Sequence, residues 1–148
     1  MLRLLGDFML GKLARELRLL GIDCAYQKEA NSEQTLKKAK NGQRILLTRN
    51  TKLKDKESVF FIESEKVAEQ VQQVLEAFPN LAFNPMTRCL DCNAVLVERE
   101  KESIKSEVPF YVYRTQERFY CCPDCGKIYW RGTHYEDMKK RVSKYLKK

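Results

Sequence analysis

The sequence predicts an α/β fold built on a parallel sheet, followed by a smaller cysteine-bearing unit. Three observations predict it. Residues 1–78 alternate short apolar runs with stretches of helical spacing, the pattern of parallel strands joined by crossover helices. Composition changes after Phe78. Two Cys-x-x-Cys pairs then appear in a stretch of β-branched and aromatic alternation.

Leu2, Leu4 and Leu5 open the first strand. Leu10, Leu13, Ala14, Leu17 and Leu20 recur at helical spacing, and Gly21 is placed to cap that helix. Residues 22–26 suit a second strand. Asn31, with Gln34 three residues on, resembles a capping box opening a helix through Leu36 and Ala39 that ends near Gly42. Ile45, Leu46 and Leu47 form the continuous apolar run of a strand covered on both faces, and residues 59–62 repeat it. Val67, Ala68, Val71, Val74, Leu75 and Phe78 make the inner stripe of a last helix before Pro79. Residues 79–87 read as a connector between a unit at 1–78 and a second at 88–148. Thr133 with Glu136 forms another capping box, and Tyr135, Met138, Val142, Tyr145 and Leu146 give the final helix one apolar face.

Composition bounds the functional classes. Of the 148 residues 43% are hydrophobic, too many for a disordered chain. No run approaches the roughly 18 apolar residues of a membrane-spanning helix. The net charge of +8 favours a polyanionic partner such as nucleic acid. Residues 1–85 hold 14 basic against 11 acidic residues, and residues 86–148 hold 14 against 9, so the smaller half is the more basic. The first twenty residues mix basic residues with leucines as a transit peptide does. Asp7 and Glu16 and the lack of a small-residue cleavage site favour a strand and helix of the fold instead. Six cysteines without a secretory signal point to a reducing, cytoplasmic compartment, where paired cysteines usually mean metal.

Cys89-Leu90-Asp91-Cys92 and Cys122-Pro123-Asp124-Cys125 are two knuckles separated by 29 residues. Four thiolates complete a tetrahedral shell at about 2.3 Å from zinc with no open position, which makes such a site structural. Asn93 and Gly126, directly after the knuckles, permit tight turns. The separation is long for a simple ribbon, so a hairpin or two is expected between the knuckles; a disulfide pair or free thiols are the alternatives. A unit of about sixty residues with few aliphatics has a marginal core, whereas structural zinc supplies on the order of 10–16 kcal/mol of apparent binding energy. Cys121 could compete as a ligand, but spacing to Cys125 favours Cys122. Cys24 reads as a buried small hydrophobe.

Ligands of open parallel sheets bind at the carboxyl ends of the strands. Asp7 follows the first strand, Asn50 follows the third, and Glu33 begins the second helix, so the three converge on one edge. Such a set would hold Mg²⁺ or Mn²⁺ and serve phosphodiester hydrolysis, with Asp7 the principal ligand. Asp55 is a further candidate. Each residue also has a purely local role open to it: Asp7 as a helix cap, Glu33 as a first-turn acid favoured by the dipole, Asn50 as a turn residue.

Arg15, Arg18, Arg44, Arg49, Lys52 and Lys54 flank the expected crevice, although a solvated helix face accounts for such charges equally well. Tyr129, Trp130, Arg131, His134 and Tyr135 combine rings with cations, a composition that stacks exposed bases and holds phosphates. Trp130 could instead pack in the core. His134, the sole histidine, could donate to a zinc-bound thiolate or transfer protons.

The segment Gly6-Asp7-Phe8-Met9-Leu10-Gly11-Lys12-Leu13-Ala14-Arg15-Glu16-Leu17-Arg18-Leu19-Leu20-Gly21, together with Ile45-Leu46-Leu47-Thr48-Arg49-Asn50, resembles the opening and the "LLTRD" segment of the Mut-seven C-terminal RNase domain family. Arg88-Cys89 through Cys92-Asn93, Val108-Pro109, and Cys122-Pro123-Asp124-Cys125-Gly126 through Trp130-Arg131-Gly132-Thr133-His134 resemble its attached zinc ribbon. The resemblance covers nearly the whole chain. It implies a PIN-like three-layer α/β/α domain with a parallel sheet, followed by a zinc ribbon and C-terminal helix, and a metal-dependent ribonuclease acting on RNA. Asp7 matches the family's first acidic position. Asn50 stands where the family has an acid, and Glu33 or Asn31 occupies the place of another. The acidic site is thus partly depleted, and a non-catalytic RNA-binding or adaptor protein is the alternative reading.

Overall fold

The computed structural model describes residues 2–81 and 83–146. Strand β1 (Leu4–Gly6) is buried throughout and lies at the centre of a four-stranded parallel sheet with β2 (Cys24–Tyr26), β3 (Ile45–Thr48) and β4 (Val59–Phe61), in the order β2-β1-β3-β4. Leu4 sits opposite Cys24 on one side and Ile45 on the other, and Leu46 sits opposite Val59. Because side chains alternate across a strand, Leu4 and Leu47 face one layer of helices and Leu5 and Leu46 the other. The first layer is α1 (Gly11–Leu19) with α3 (Val67–Ala77), which contribute Leu13, Leu17, Val71 and Val74 to that core. On the opposite face α2 (Ser32–Asn41) contributes Ala39, beside Leu53. Helices therefore cover both faces of the sheet. Each fully buried leucine stabilises the fold by about 1.5–3 kcal/mol relative to an exposed one.

Gly21 ends α1 as the spacing predicts. Its N–H donates to Arg18 O at 2.9 Å, and that of Ile22 to Leu17 O at 3.0 Å, the paired bonds of a Schellman cap with its left-handed residue, Gly21, at φ 82°. A side chain there would also collide with the backbone carbonyl of Asn84. Since Ile22 spends its N–H on the cap, β2 starts at Cys24 and is shorter than residues 22–26 suggest.

The second half carries an antiparallel sheet of β5 (Val97–Arg99), β6 (Phe119–Cys121) and β7 (Ile128–Tyr129), in that order. Between β5 and β6 lie a 3₁₀ turn at Lys101–Ile104 and the short helix α4 (Phe110–Thr115). Ile104, Val112 and Phe119 form its small core. The sequence gives no warning of α4, because six residues burying only Val112 leave no periodic stripe. The last helix, α5 (Thr133–Leu146), places Met138 and Val142 in the same core as α1 and α3, together with Leu90 of the first knuckle. Gly132 O accepts from Glu136 N, so Thr133 is the first residue inside this helix and not its cap. No helix among the described residues is long and apolar enough to cross a membrane.

Candidate functional site

The carboxyl edge of the sheet brings Asp7 and Asn50 together through Thr48. Asp7 Oδ1 accepts the Met9 N–H at 3.0 Å, which makes Asp7 the cap of the 3₁₀ turn Phe8–Leu10. Its Oδ2 accepts the Thr48 hydroxyl at 2.5 Å, and Thr48 Oγ1 in turn accepts the Asn50 N–H at 3.0 Å. Asn50 Nδ2 donates to Ser32 Oγ at 3.3 Å, which ties the start of α2 to the same edge. Asn50 Oδ1 accepts the Lys52 N–H at 3.0 Å, capping the turn Thr51–Leu53. Glu33, next to Ser32, is exposed in the first turn of α2. Asn31 is the cap of that helix, its Oδ1 accepting from Gln34 N at 3.0 Å. Asp55 is exposed.

Asp7 is only 6% exposed, and among the described residues it has no ion-pair partner. A buried carboxylate held by neutral donors carries a desolvation cost. Among the described residues the one cluster of three or more His, Cys, Asp or Glu side chains is made of cysteines. The edge therefore offers one ordered carboxylate linked to Asn50, while Glu33 sits exposed in the first turn of α2 beside Ser32, which Asn50 reaches. That donor set suits Mg²⁺, which keeps most of its waters and binds through one or two carboxylates plus the phosphates of its substrate.

The sulfurs of Cys89, Cys92, Cys122 and Cys125 all lie within 4.8 Å of one another. Cys89 Sγ and Cys125 Sγ are 3.8 Å apart, which matches the edge of about 3.8 Å of a regular tetrahedron with 2.3 Å zinc–sulfur bonds. All six cysteines are free, and Cys121 and Cys24 are buried outside the cluster. The knuckles share one geometry. Cys89 N donates to Ala94 O and Cys122 N to Lys127 O, while Asn93 N returns to Cys89 O and Gly126 N to Cys122 O. Asn93 (φ 69°) and Gly126 (φ 78°) supply the left-handed turns.

Donors surround the sulfurs. Cys122 Sγ accepts from the N–H groups of Asp124 and Cys125, each at 3.4 Å, and Cys89 Sγ accepts the Tyr129 hydroxyl at 3.1 Å. Burial works against the Cys89 thiolate, but the Tyr129 hydroxyl and the backbone N–H groups of Cys92 and Asp91 outweigh it and bring the thiol to about 7. Cys92, burdened by burial and by its neighbouring sulfurs, is pushed up to about 12. Tyr129 thus fills a place beside a thiolate for which the sequence offers His134 as one candidate; His134 is exposed on α5.

The first knuckle is bound to the parallel unit by side chains expected to face RNA. Arg18 is buried; its Nε donates to Cys24 O at 2.8 Å and its Nη1 to Leu90 O at 2.7 Å. Burial lowers its guanidinium's affinity for the proton. Arg15 pairs with Asp91, which also meets Lys127 at 3.6 Å. Arg44 pairs with Asp23 at 2.7 Å. Arg18 and Arg44 are built into the fold and Arg18 is buried, whereas Arg15 holds its pair at the exposed surface. Arg49 donates to Glu63 O at 3.1 Å, Lys52 is exposed beside Asn50, and Lys54 lies 5.0 Å from the Phe61 ring. Tyr129, Trp130 and Arg131 line a separate cavity that Leu19 at the end of α1 also borders. Trp130 is partly packed, its ring 6.4 Å from that of Phe119.

A parallel sheet with Asp7 at its carboxyl edge, docked through one knuckle onto a four-thiolate centre of zinc-binding geometry, defines the class: an α/β protein with an appended metal ribbon. The chain belongs to the Mut7-C RNAse domain family, whose profile matches residues 2–142 of the 148. Comparisons with curated proteins and with solved structures found no match. The family match spans both halves and supports an RNA-acting, nuclease-like role.

Proposed function

We propose that the chain is a divalent-metal-dependent ribonuclease whose acidic site is reduced to Asp7, assisted by Asn50 and Glu33. The observation that carries this reading is Asp7 itself, buried at the carboxyl end of β1, without a cationic partner among the described residues, with both oxygens oriented by neutral donors. Bound there, Mg²⁺ or Mn²⁺ would supply charge neutralisation at the scissile phosphate. The chain's own part is orientation: Met9 N–H and the Thr48 hydroxyl fix the carboxylate, and Thr48 links its position to Asn50. Arg49 and Lys52 bring positive charge to the same edge for the RNA backbone. Residues 1–78 form the catalytic unit in this reading, 79–87 the connector, and 88–148 a zinc-stapled unit that adds RNA affinity through Arg131 and His134.

Incubating the zinc-loaded protein with single-stranded RNA and Mn²⁺ tests the proposal. Cleavage is expected and should disappear in Asp7→Ala; cleavage that survives that substitution overturns it. Asn50 favours a second reading, a non-catalytic RNA-binding protein, because an amide replaces a charge and its Oδ1 is engaged by Lys52 N–H. Under that reading the native chain binds RNA without cutting it, and Asn50→Asp restores metal affinity.

A further inference from the structure

Between the metal ribbon, the connector and the end of α1 lies a cavity of about 300 Å³ that the proposed reaction does not use. Four aromatic residues line it, Tyr129, Trp130 and Tyr135 among them, with Arg88 and Arg131 as two cations and Met138 as part of its apolar lining. Among the described residues that line it there is no Asp or Glu, and neither arginine forms an ion pair among the described residues. Such a wall attracts an anion with an aromatic body.

The wall is also largely set before any ligand arrives. Tyr129 is anchored by its hydroxyl on Cys89 Sγ, Trp130 by Phe119, and Arg88 by bonds to Gly21 O at 3.2 Å and Asn93 O at 2.8 Å. Arg131 lies 5.2 Å from the Tyr135 ring and is exposed. Groups already held lose little freedom on binding. Rings stack unpaired bases and guanidiniums hold phosphate. The volume sits at the small end of ligand sites, which limits the occupant to one such unit.

We infer that this cavity is a nucleotide subsite, taking one unstacked base against its rings and that base's phosphate on Arg88 and Arg131. The nucleotide's source within an RNA strand rests on the RNA-acting reading above; a free nucleotide shares the same chemistry.

Trp130 is the sole tryptophan of the chain and lines this cavity, so its fluorescence in the zinc-loaded protein responds to an occupant there. Adenosine monophosphate titrated into the zinc-loaded full chain should change that fluorescence saturably, with adenosine bound about tenfold more weakly. Arg131→Gln and Tyr135→Leu should each weaken the nucleotide about tenfold while zinc content and circular dichroism stay unchanged. A labelled ten-nucleotide RNA that displaces the nucleotide identifies the strand as its source; RNA that binds without displacing it leaves the subsite standing for free nucleotides. Failure of the RNA to bind, with the nucleotide response intact, removes the RNA reading and keeps the subsite. Absence of any saturable nucleotide response, with RNA still bound by the native chain, overturns the subsite and leaves the RNA reading in place.

Discussion

Asn93 donates from Nδ2 to Asp23 Oδ1 at 2.7 Å, joining the first cysteine knuckle to the loop before β2. The same amide accepts the Cys24 N–H on Oδ1 at 3.1 Å, while its backbone holds the left-handed turn of the knuckle at φ 69°. One residue therefore serves both the metal loop and its docking.

Two substitutions separate these duties. Asn93→Gly keeps the left-handed turn and removes the bridge, which leaves Asp23 and Cys24 N–H short of partners; a loss of about 1–3 kcal/mol is expected. Asn93→Ala loses the bridge and strains the turn as well, at a further cost of about 1 kcal/mol. Urea unfolding of the zinc-loaded variants measures both. An alanine variant as stable as the glycine one would remove the backbone part of this account.

Asp23 should also govern the response to acid. Burial opposes its charge, but hydrogen bonds from Arg44 and Asn93 and the nearby Arg44 charge outweigh burial and hold its carboxyl below the usual range. A folded pKa below the unfolded value of about 3.9 contributes stability that is fully present above that value and is lost as pH falls through the folded one. The urea midpoint should therefore hold from neutral pH to about pH 5 and drop below about pH 4. Asp23→Asn should start less stable and show a shallower drop. Asp91 is held low by the hydrogen bond from Arg15 in the same direction, but it is exposed and solvent screening leaves it little weight.

Tyr129 supplies a prediction for the metal. Its hydroxyl bond to Cys89 Sγ at 3.1 Å stabilises the thiolate, and partners of ligand atoms typically contribute 10–100-fold in metal affinity. Tyr129→Phe should weaken zinc by about tenfold or more in competition with a chelator. Stripping the metal entirely should expose Trp130 and unfold the ribbon, because its own core is only Ile104, Val112 and Phe119 with partly buried neighbours. Binding should tighten as pH rises, since Cys92, pushed up to about 12, must release its proton to bind.

Much of this arrangement was readable in advance, and what was not has identifiable causes. Gly21 and Asn31 act as the caps their positions suggest, and the two cysteine pairs converge as their spacing requires. Arg18 misleads because a helical arginine reads as surface. Its position four residues after Ala14, beside Leu17 on the apolar stripe, was the available signal. Thr48 reads as an ordinary strand residue, and nothing local announces that its hydroxyl reaches Asp7, 41 residues away. Tyr129 and Cys89 are 40 residues apart, so their bond exists only once the hairpin closes. Local chemistry is visible in a sequence; pairings made by the fold are not.

Asp7→Asn separates a cation site from a helix cap more cleanly than an activity assay. Asparagine caps as well as aspartate, so a purely structural Asp7 predicts no change in the response to metal. The amide retains an oxygen for Met9 N–H, turns an NH2 toward the Thr48 hydroxyl in place of Oδ2, and removes a buried charge that has no ion-pair partner among the described residues. Without added metal the variant should be within about 1 kcal/mol of the native chain or more stable, because the desolvation cost of the carboxylate is gone. Mn²⁺ should raise the melting temperature of the native chain, since any ligand that prefers the folded state stabilises it by mass action. The variant should lose that rise. Thr48→Val, which leaves the charge but frees the carboxylate from its hydroxyl donor, should keep part of the rise with a shallower dependence on Mn²⁺ concentration. Equal Mn²⁺ responses in all three proteins would return Asp7 to the role of a cap.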